Sequence, residues 1–293
     1  MQKLTGIVRA CAYAKLNISL DVCGKREDGY HDMLMVMQTV SLCDTLELRP
    51  TGDGGIRATC NLPYVPGDER NLAVRAAKEY LAAVGAEGQG LRIHVNKKIP
   101  VGAGMAGGST DAAAVLRALN AAFHAALTRE ELLELAARIG SDVAFCLEGG
   151  TMLASGRGEL LSPLPSLPDC TFVIGKPEFS VSTPELFRKL DQVRLRRHPD
   201  TAGILAALES GSLPDIARRM YNVFEDVDDR RLRTVSRLKS RLLDCGALGA
   251  VMTGTGSAVF GIFDQPAAAE EAAAKLKKEF RFCTVASPVG TLL

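Results

Sequence analysis

The sequence predicts an α+β protein in two lobes. Three observations carry that prediction. Strand-like runs of period two alternate irregularly with helical runs of period near 3.6, and several strand-like runs follow one another as in hairpins. The length, 293 residues, points to about two domains. A proline-dense stretch, Ser162-Pro163-Leu164-Pro165-Ser166-Leu167-Pro168, ends regular structure near the middle of the chain. The expected division is therefore residues 1–163 and residues 164–293.

The elements follow in order. In residues 12–21, Ala12, Ala14, Leu16, Ile18 and Leu20 fall on one face, and Tyr13, Lys15, Asn17, Ser19 and Asp21 on the other, as in a half-buried strand. A polar turn, residues 24–31, leads to two strand-like runs at 33–40 and 45–48; residues 33–37 also suit a helix. Residues 71–84 have helical spacing, and 91–95 alternate again. A helix is expected from Ser109, with Ala112, Val115, Leu116, Leu119, Ala122 and Phe123 inward. Thr128-Arg129-Glu130-Glu131 opens another with a capping signature. Beyond the prolines come a strand at 170–175, several helices, and strands at 249–252, 258–263 and 283–286 around a helix at 267–280.

Composition excludes several roles. A net charge of +1 gives no global field toward nucleic acid or an anionic membrane, so any bound anion must be held locally. The opening MQKLTGIVRACAYAKLN has no apolar signal segment, and no run approaches the roughly 18 apolar residues of a membrane helix. The eight cysteines form no C-x-x-C pair and no zinc-finger spacing. Free thiols point to a reducing, cytoplasmic compartment. Neither nucleic acid nor membrane is expected as a partner, and oligomeric state is left open.

One loop carries the chemistry. Pro100, Val101, Gly102, Ala103, Gly104, Met105, Ala106, Gly107, Gly108, Ser109 and Thr110 join the strand at 91–95 to the following helix. Its four glycines remove side chains that would hold a bulky anion off the backbone, and the helix start adds free N–H groups and partial positive charge. Lys97 and Lys98 lie just upstream. Gly102-x-Gly104-x-x-Gly107 matches a dinucleotide fingerprint, but the region about 20 residues on is helical rather than a strand ending in an acidic residue. A Walker loop would need Lys where Gly108 stands. A purely structural turn remains open.

The loop resembles the phosphate-binding motif of the GHMP kinases (galactokinase, homoserine, mevalonate and phosphomevalonate kinases), with Met105 and Ala106 in place of Leu and Gly. Two further segments, Ala12-Tyr13-Ala14-Lys15-Leu16-Asn17-Ile18 and residues 253–261, TGTGSAVFG, are similar to that superfamily. Asp28-Gly29-Tyr30-His31 and the stretches IGSDVAFCLEGGTMLASGRGE and FSVSTPELF resemble its branch acting on cytidine-diphosphate-linked methylerythritol.

That resemblance implies a ribosomal-protein-S5-like N-terminal lobe and a ferredoxin-like C-terminal lobe. It implies transfer of the γ-phosphate of ATP to the 2-hydroxyl of the substrate, on the non-mevalonate route to isoprenoid precursors. By the same resemblance Asp142 is the general base and Lys15 lies beside it, serving the transferred phosphoryl group. Tyr30 and His31 meet cytosine, Phe187 stacks on it and Thr183 adds a polar contact. Asn17 is expected to orient substrate hydroxyls, and Asn71 to approach adenine. Read without the resemblance, Asp142 is a turn residue by preference, Lys15 reads as a snorkelling lysine and Phe187 as a core residue. Magnesium is expected with ATP, without dedicated protein ligands. A kinase for a different alcohol and a non-catalytic relative are the alternatives.

Overall fold

The computed structural model describes residues 4–195 and 197–293. The chain forms β1 (Val8–Lys25), β2 (His31–Thr51), β3 (Ile56–Cys60), α1 (Leu72–Ala83), β4 (Gly90–Asn96), α2 (Gly107–Ala122), α3 (Arg129–Ile139), α4 (Val143–Glu148), β5 (Thr151–Ser155) and β6 (Leu160–Pro163). It continues through β7 (Thr171–Lys176), α5 (Thr183–Leu190), α6 (Thr201–Glu209), α7 (Leu213–Ala217), β8 (Tyr221–Asn222), α8 (Leu232–Asp244), β9 (Gly249–Met252), β10 (Val259–Phe263), α9 (Pro266–Leu276) and β11 (Phe282–Ala286).

Two sheets organise these elements. The larger runs β3-β4-β2-β1-β8, with β5 and β6 added on the other half of β2. The two strand-like runs expected at 33–40 and 45–48 are one 21-residue strand, β2. Its late part pairs β4 and its early part pairs β5, so one strand serves both wings of the sheet. The smaller sheet, β11-β7-β10-β9, is antiparallel and has the strand order of a split βαβ unit, with α8 and α9 packed on it. Strand β8 lies after β7 in sequence yet pairs in parallel with β1 of the large sheet.

The apolar residues of β1 show how the sheets meet. Ala14, Leu16 and Ile18 pack with Phe172, Ile174, Val251, Phe260 and Ile262 of the small sheet, forming a layer between the two. Ala12, Leu20 and Val22 belong instead to the main core with α1, α2 and α3. The change of side follows register irregularities between Tyr13 and Lys15 and between Asn17 and Ser19, where the pleat loses its phase. The half-buried strand expected at 12–21 is thus corrected. Lys15, Asn17, Ser19 and Asp21 are buried along with the apolar set. Helix α3 keeps its expected start: Thr128 and Glu131 form a reciprocal capping box. Among the described residues no helix is long and apolar enough to cross a membrane.

Candidate active site

A cleft of about 900 Å³ opens where β1, the Gly-rich loop, the start of α4 and the start of α5 converge. It is lined by Lys15 and Asp142, by the loop from Pro100 to Ser109, by Asn71, and by Tyr30, His31, Thr183 and Phe187.

Lys15 is 4% exposed although it carries an ammonium group. Its Nζ donates to Asn17 Oδ1 at 2.5 Å. Among the described residues no carboxylate comes within 4.0 Å of it. A buried cation held by one neutral amide is costly unless an anion arrives. Asp142 stands just ahead of α4 but makes no capping bond with its side chain. The turn role available to it is not the one its carboxylate takes; it faces the cleft. The expected pairing of Lys15 with Asp142 is therefore not a direct ion pair. Both charges nonetheless reach Cys146 behind them: burial and the Asp142 carboxylate push that thiol up, while Lys15 opposes them.

The loop crosses left-handed backbone at Gly102, Gly104 and Ala106, with φ values of 63°, 76° and 57°. Ala106 immediately precedes α2, so that the first N–H groups of the helix turn toward the cleft. A second glycine turn, Thr253-Gly254-Thr255-Gly256-Ser257, interlocks with the first. Thr253 Oγ1 donates to the Gly104 carbonyl at 3.2 Å, and the Ala258 N–H to the Ala103 carbonyl at 3.2 Å. A Cβ on Gly104 would lie 2.1 Å from the Thr253 carbonyl oxygen. Asn17 links the second turn to Lys15: besides the Lys15 ammonium, its Oδ1 accepts from the Gly254 N–H at 2.9 Å.

Beneath the loop, Lys97 Nζ meets Asp44 at 2.5 Å and Asp111 at 2.8 Å, and donates to the Gly107 carbonyl at 2.9 Å. Two carboxylates share one ammonium. Burial works against the Lys97 charge, but the two carboxylates more than offset it and raise its pKa. One carboxylate is left over-burdened. Burial pushes Asp111 up to about 7; Lys97 opposes this and repulsion from Asp44 adds to it.

At the far end, His31 stacks on Phe187 with centroids 4.7 Å apart and planes 26° apart. Phe187 meets Phe224 edge to face at 4.9 Å. Tyr30 is 56% exposed beneath the Arg157 guanidinium, 5.2 Å from its ring centre. A planar heterocycle can lie against this open aromatic surface.

Comparison with known proteins identifies the family. The model of the GHMP kinases N terminal domain matches residues 71–150, and that of the GHMP kinases C terminal domain residues 204–281. A 4-diphosphocytidyl-2-C-methyl-D-erythritol kinase of Syntrophomonas wolfei is 46% identical over 270 residues, covering 92% of this chain and 93% of its own. The chain belongs to the 4-diphosphocytidyl-2-C-methyl-D-erythritol kinase family of the GHMP kinases. A kinase of the same name from Clostridium botulinum is 43% identical, covering 92% and 95%. The crystal structure of a 4-(cytidine 5'-diphospho)-2C-methyl-D-erythritol kinase superposes with a TM-score of 0.80 at 35% identity, covering 96% and 99%. Homoserine kinase from Cytophaga hutchinsonii shares the fold, at TM-score 0.76 and 22% identity over 99% and 97%. As a GHMP kinase the protein is an ATP-dependent enzyme.

In this family member the cleft brings together Lys15, Asp142, the loop, Tyr30, His31, Thr183 and Phe187. Thr183 Oγ1 is bonded to Thr255 Oγ1 at 2.9 Å, so it also ties α5 to the second glycine turn. Two residues lie behind the wall. Asn17 is fully buried and outside the cleft lining, its amide taken up by Lys15, Gly254, Thr253 and Met35. Thr110 is buried with its hydroxyl on the Gly107 carbonyl. Asn71 reaches the cleft, but its side chain accepts from the Ala73 N–H and donates to the Pro66 carbonyl, capping α1. Sequence reasoning missed Tyr64, Val65 and Pro66, an apolar wall beside Asn71 and Leu72. It also missed Lys25, Arg157, Arg188 and Asp191 at the aromatic end. Lys25 and Arg157 lie inside the polar turn 24–31 and the IGSDVAFCLEGGTMLASGRGE stretch without a spacing that singles them out, and the others stand in no local pattern.

Proposed function

We propose that the protein transfers the γ-phosphate of ATP to the 2-hydroxyl of 4-diphosphocytidyl-2-C-methyl-D-erythritol, in the non-mevalonate route to isoprenoid precursors. The relatives named for this activity cover nearly the whole chain and support the reading. The observation that carries the chemistry is Lys15, a buried cleft-facing ammonium with one amide partner and no carboxylate within 4.0 Å among the described residues. Such a charge suits a phosphoryl group in transit. Asp142 takes the proton of the attacking hydroxyl as the hydroxyl oxygen bonds to phosphorus and ADP leaves. The loop from Pro100 to Thr110 cradles the nucleotide phosphates through its N–H groups, and adenine lies against Tyr64, Val65 and Leu72 near Asn71. Cytosine lies against the rings of Tyr30 and Phe187 with its polar edge toward the edge of His31, and Thr183 nearby.

Among the described residues no three His, Cys, Asp or Glu side chains gather into a metal site. A magnesium ion would be carried in on the nucleotide phosphates and their waters, where it would neutralise phosphate charge. The eight unpaired cysteines support a cytoplasmic setting. In this reading residues 1–163 supply the loop and the catalytic pair, and residues 164–293 supply Thr183, Phe187 and the second glycine turn.

The test is coupled ADP release from purified protein with ATP and magnesium, comparing the cytidine compound with homoserine and mevalonate. Release with the cytidine compound alone is expected. Release only with another alcohol discards the substrate, and no release with any discards the catalytic reading.

A further inference from the structure

His31 is held in a way that the stacking role does not require. Its Nε2 lies 2.7 Å from Asp191 Oδ1, and its side chain is 9% exposed. Asp191 directly follows α5, and its other oxygen takes Lys25 Nζ at 2.5 Å. All three residues line the cleft. The hydrogen bond from Lys25, then that from His31, hold the Asp191 carboxyl below its usual range, so it is an anion at neutral pH. An ionised carboxylate only accepts hydrogen bonds, so Nε2 must be the ring's donor. In the neutral imidazole Nδ1 is then a bare lone pair. Among the described residues Nδ1 has no partner.

We propose that Asp191 is a positioning residue that fixes the tautomer of His31 and thereby selects cytosine over uracil. The inference rests on the proposed cytidine substrate. The pyrimidines differ at two adjacent edge positions: cytosine presents an amino donor and a bare ring nitrogen where uracil presents a carbonyl acceptor and a ring N–H; the exocyclic position is the one that His31 reads. A lone pair on His31 accepts from the amino group and faces the uracil carbonyl acceptor-to-acceptor. Leaving such a buried partner unmet corresponds to about ten- to hundred-fold in kcat/KM. The contact also fastens α5 to the start of β2. A purely structural tie would weaken both pyrimidines alike, so the ratio between them separates the two roles.

The experiment compares wild type, Asp191→Asn and Asp191→Glu. Each is assayed with 4-diphosphocytidyl-methylerythritol and with its uridine counterpart, with the KM for ATP measured alongside. Imidazole ¹⁵N spectra, with His31→Gln for assignment, report the tautomer. Wild type should carry its proton on Nε2 and prefer the cytidine compound. An amide at 191 can donate to Nε2, so Asp191→Asn should lose the single tautomer and raise the KM for the cytidine compound. Its cytidine-to-uridine ratio should fall about ten-fold or more, with the KM for ATP near wild type, and Asp191→Glu should restore part of the ratio. A wild-type protein with its proton on Nδ1, or an Asp191→Asn variant with an altered tautomer and unchanged ratio, overturns the proposal. Turnover of neither pyrimidine compound by wild type overturns the substrate reading and cytosine selection with it; the spectra would still decide the tautomer lock separately.

Discussion

Replacing Gly104 by alanine puts the interlock of the two glycine turns under direct strain. Gly104 has φ 76°, a region that costs an L-residue about 1–2 kcal/mol. The new Cβ would lie 2.1 Å from the Thr253 carbonyl oxygen and 3.0 Å from the Gly256 nitrogen. Both are backbone atoms, so no rotamer relieves the clash and the 253–257 turn must retreat. Retreat breaks the bonds from Thr253 Oγ1 to Gly104 and from the Ala258 N–H to Ala103, each worth about 1 kcal/mol. Alanine returns up to about 1 kcal/mol by stiffening the unfolded chain. The net loss is about 2–3 kcal/mol, or roughly 5–10 °C in Tm for a chain of this size. The loop N–H groups move with it, so the KM for ATP should rise as well. Thermal unfolding by circular dichroism and initial rates at varied ATP measure both effects. Gly108→Ala is the control: its Cβ would meet only Leu72 Cδ1, at 3.7 Å, and its Tm should stay near wild type or rise slightly. A Gly104→Ala protein that melts with wild type and keeps its KM for ATP would refute the interlock.

Asp142→Asn should bind nucleotide normally in calorimetric titration while turnover falls by roughly 10²–10⁴, the usual range for a lost general base; an unchanged rate would remove Asp142 from that role. Asp111→Asn should show a pH-dependent stability. A carboxyl raised from 3.8 to about 7 in the folded state contributes stability below its unfolded value and loses it as pH rises through the folded one. Asparagine avoids that loss, so the variant's Tm should exceed wild type near pH 8 and the gap should close between about pH 7 and 4; a gap that is flat or widens in acid contradicts the over-burdened triad. Asn17→Ala leaves the Lys15 ammonium and the Gly254 N–H without their acceptor. It should cost about 1–3 kcal/mol in denaturant unfolding and lower kcat more than it raises either KM; wild-type kcat would show that Asn17 does not position Lys15.

The parts of the site that could be read from sequence are those whose signal is local. Four glycines within seven residues, a strand before and a helix after, make the phosphate loop legible from 102–108 alone. Thr128 and Glu131 announce α3 for the same reason. The polar face of β1 misled, because burial there is decided by a turn more than 200 residues away and because register shifts break the alternation. The alternation alone puts Asn17 on an open face where it could meet substrate hydroxyls. Its true partners, Lys15 and the Gly254 N–H, become visible only in three dimensions. Asp142 was identifiable through resemblance alone, since a lone aspartate before a short helix reads as a cap. Asp191 has no local signal, and Arg157 has only its place in a resembling stretch: each gains meaning from the ring it touches, His31 or Tyr30.

The bond from the Gly254 N–H to Asn17 spans 237 positions, and that from Thr253 to Gly104 spans 149. During synthesis at about 5–20 residues per second, tens of seconds separate the emergence of Asn17 from that of the turn that completes its hydrogen bonds. In the later part of that interval, once α2 has been made, a nascent chain holds Lys15, Asn17 and the Gly-rich loop with a missing wall, although α1, α2 and most of the large sheet can already pair. Competence to bind nucleotide is therefore a late event on the ribosome. An amino-terminal fragment that ends before residue 253 should be a poor ATP binder even where its helices and strands have formed.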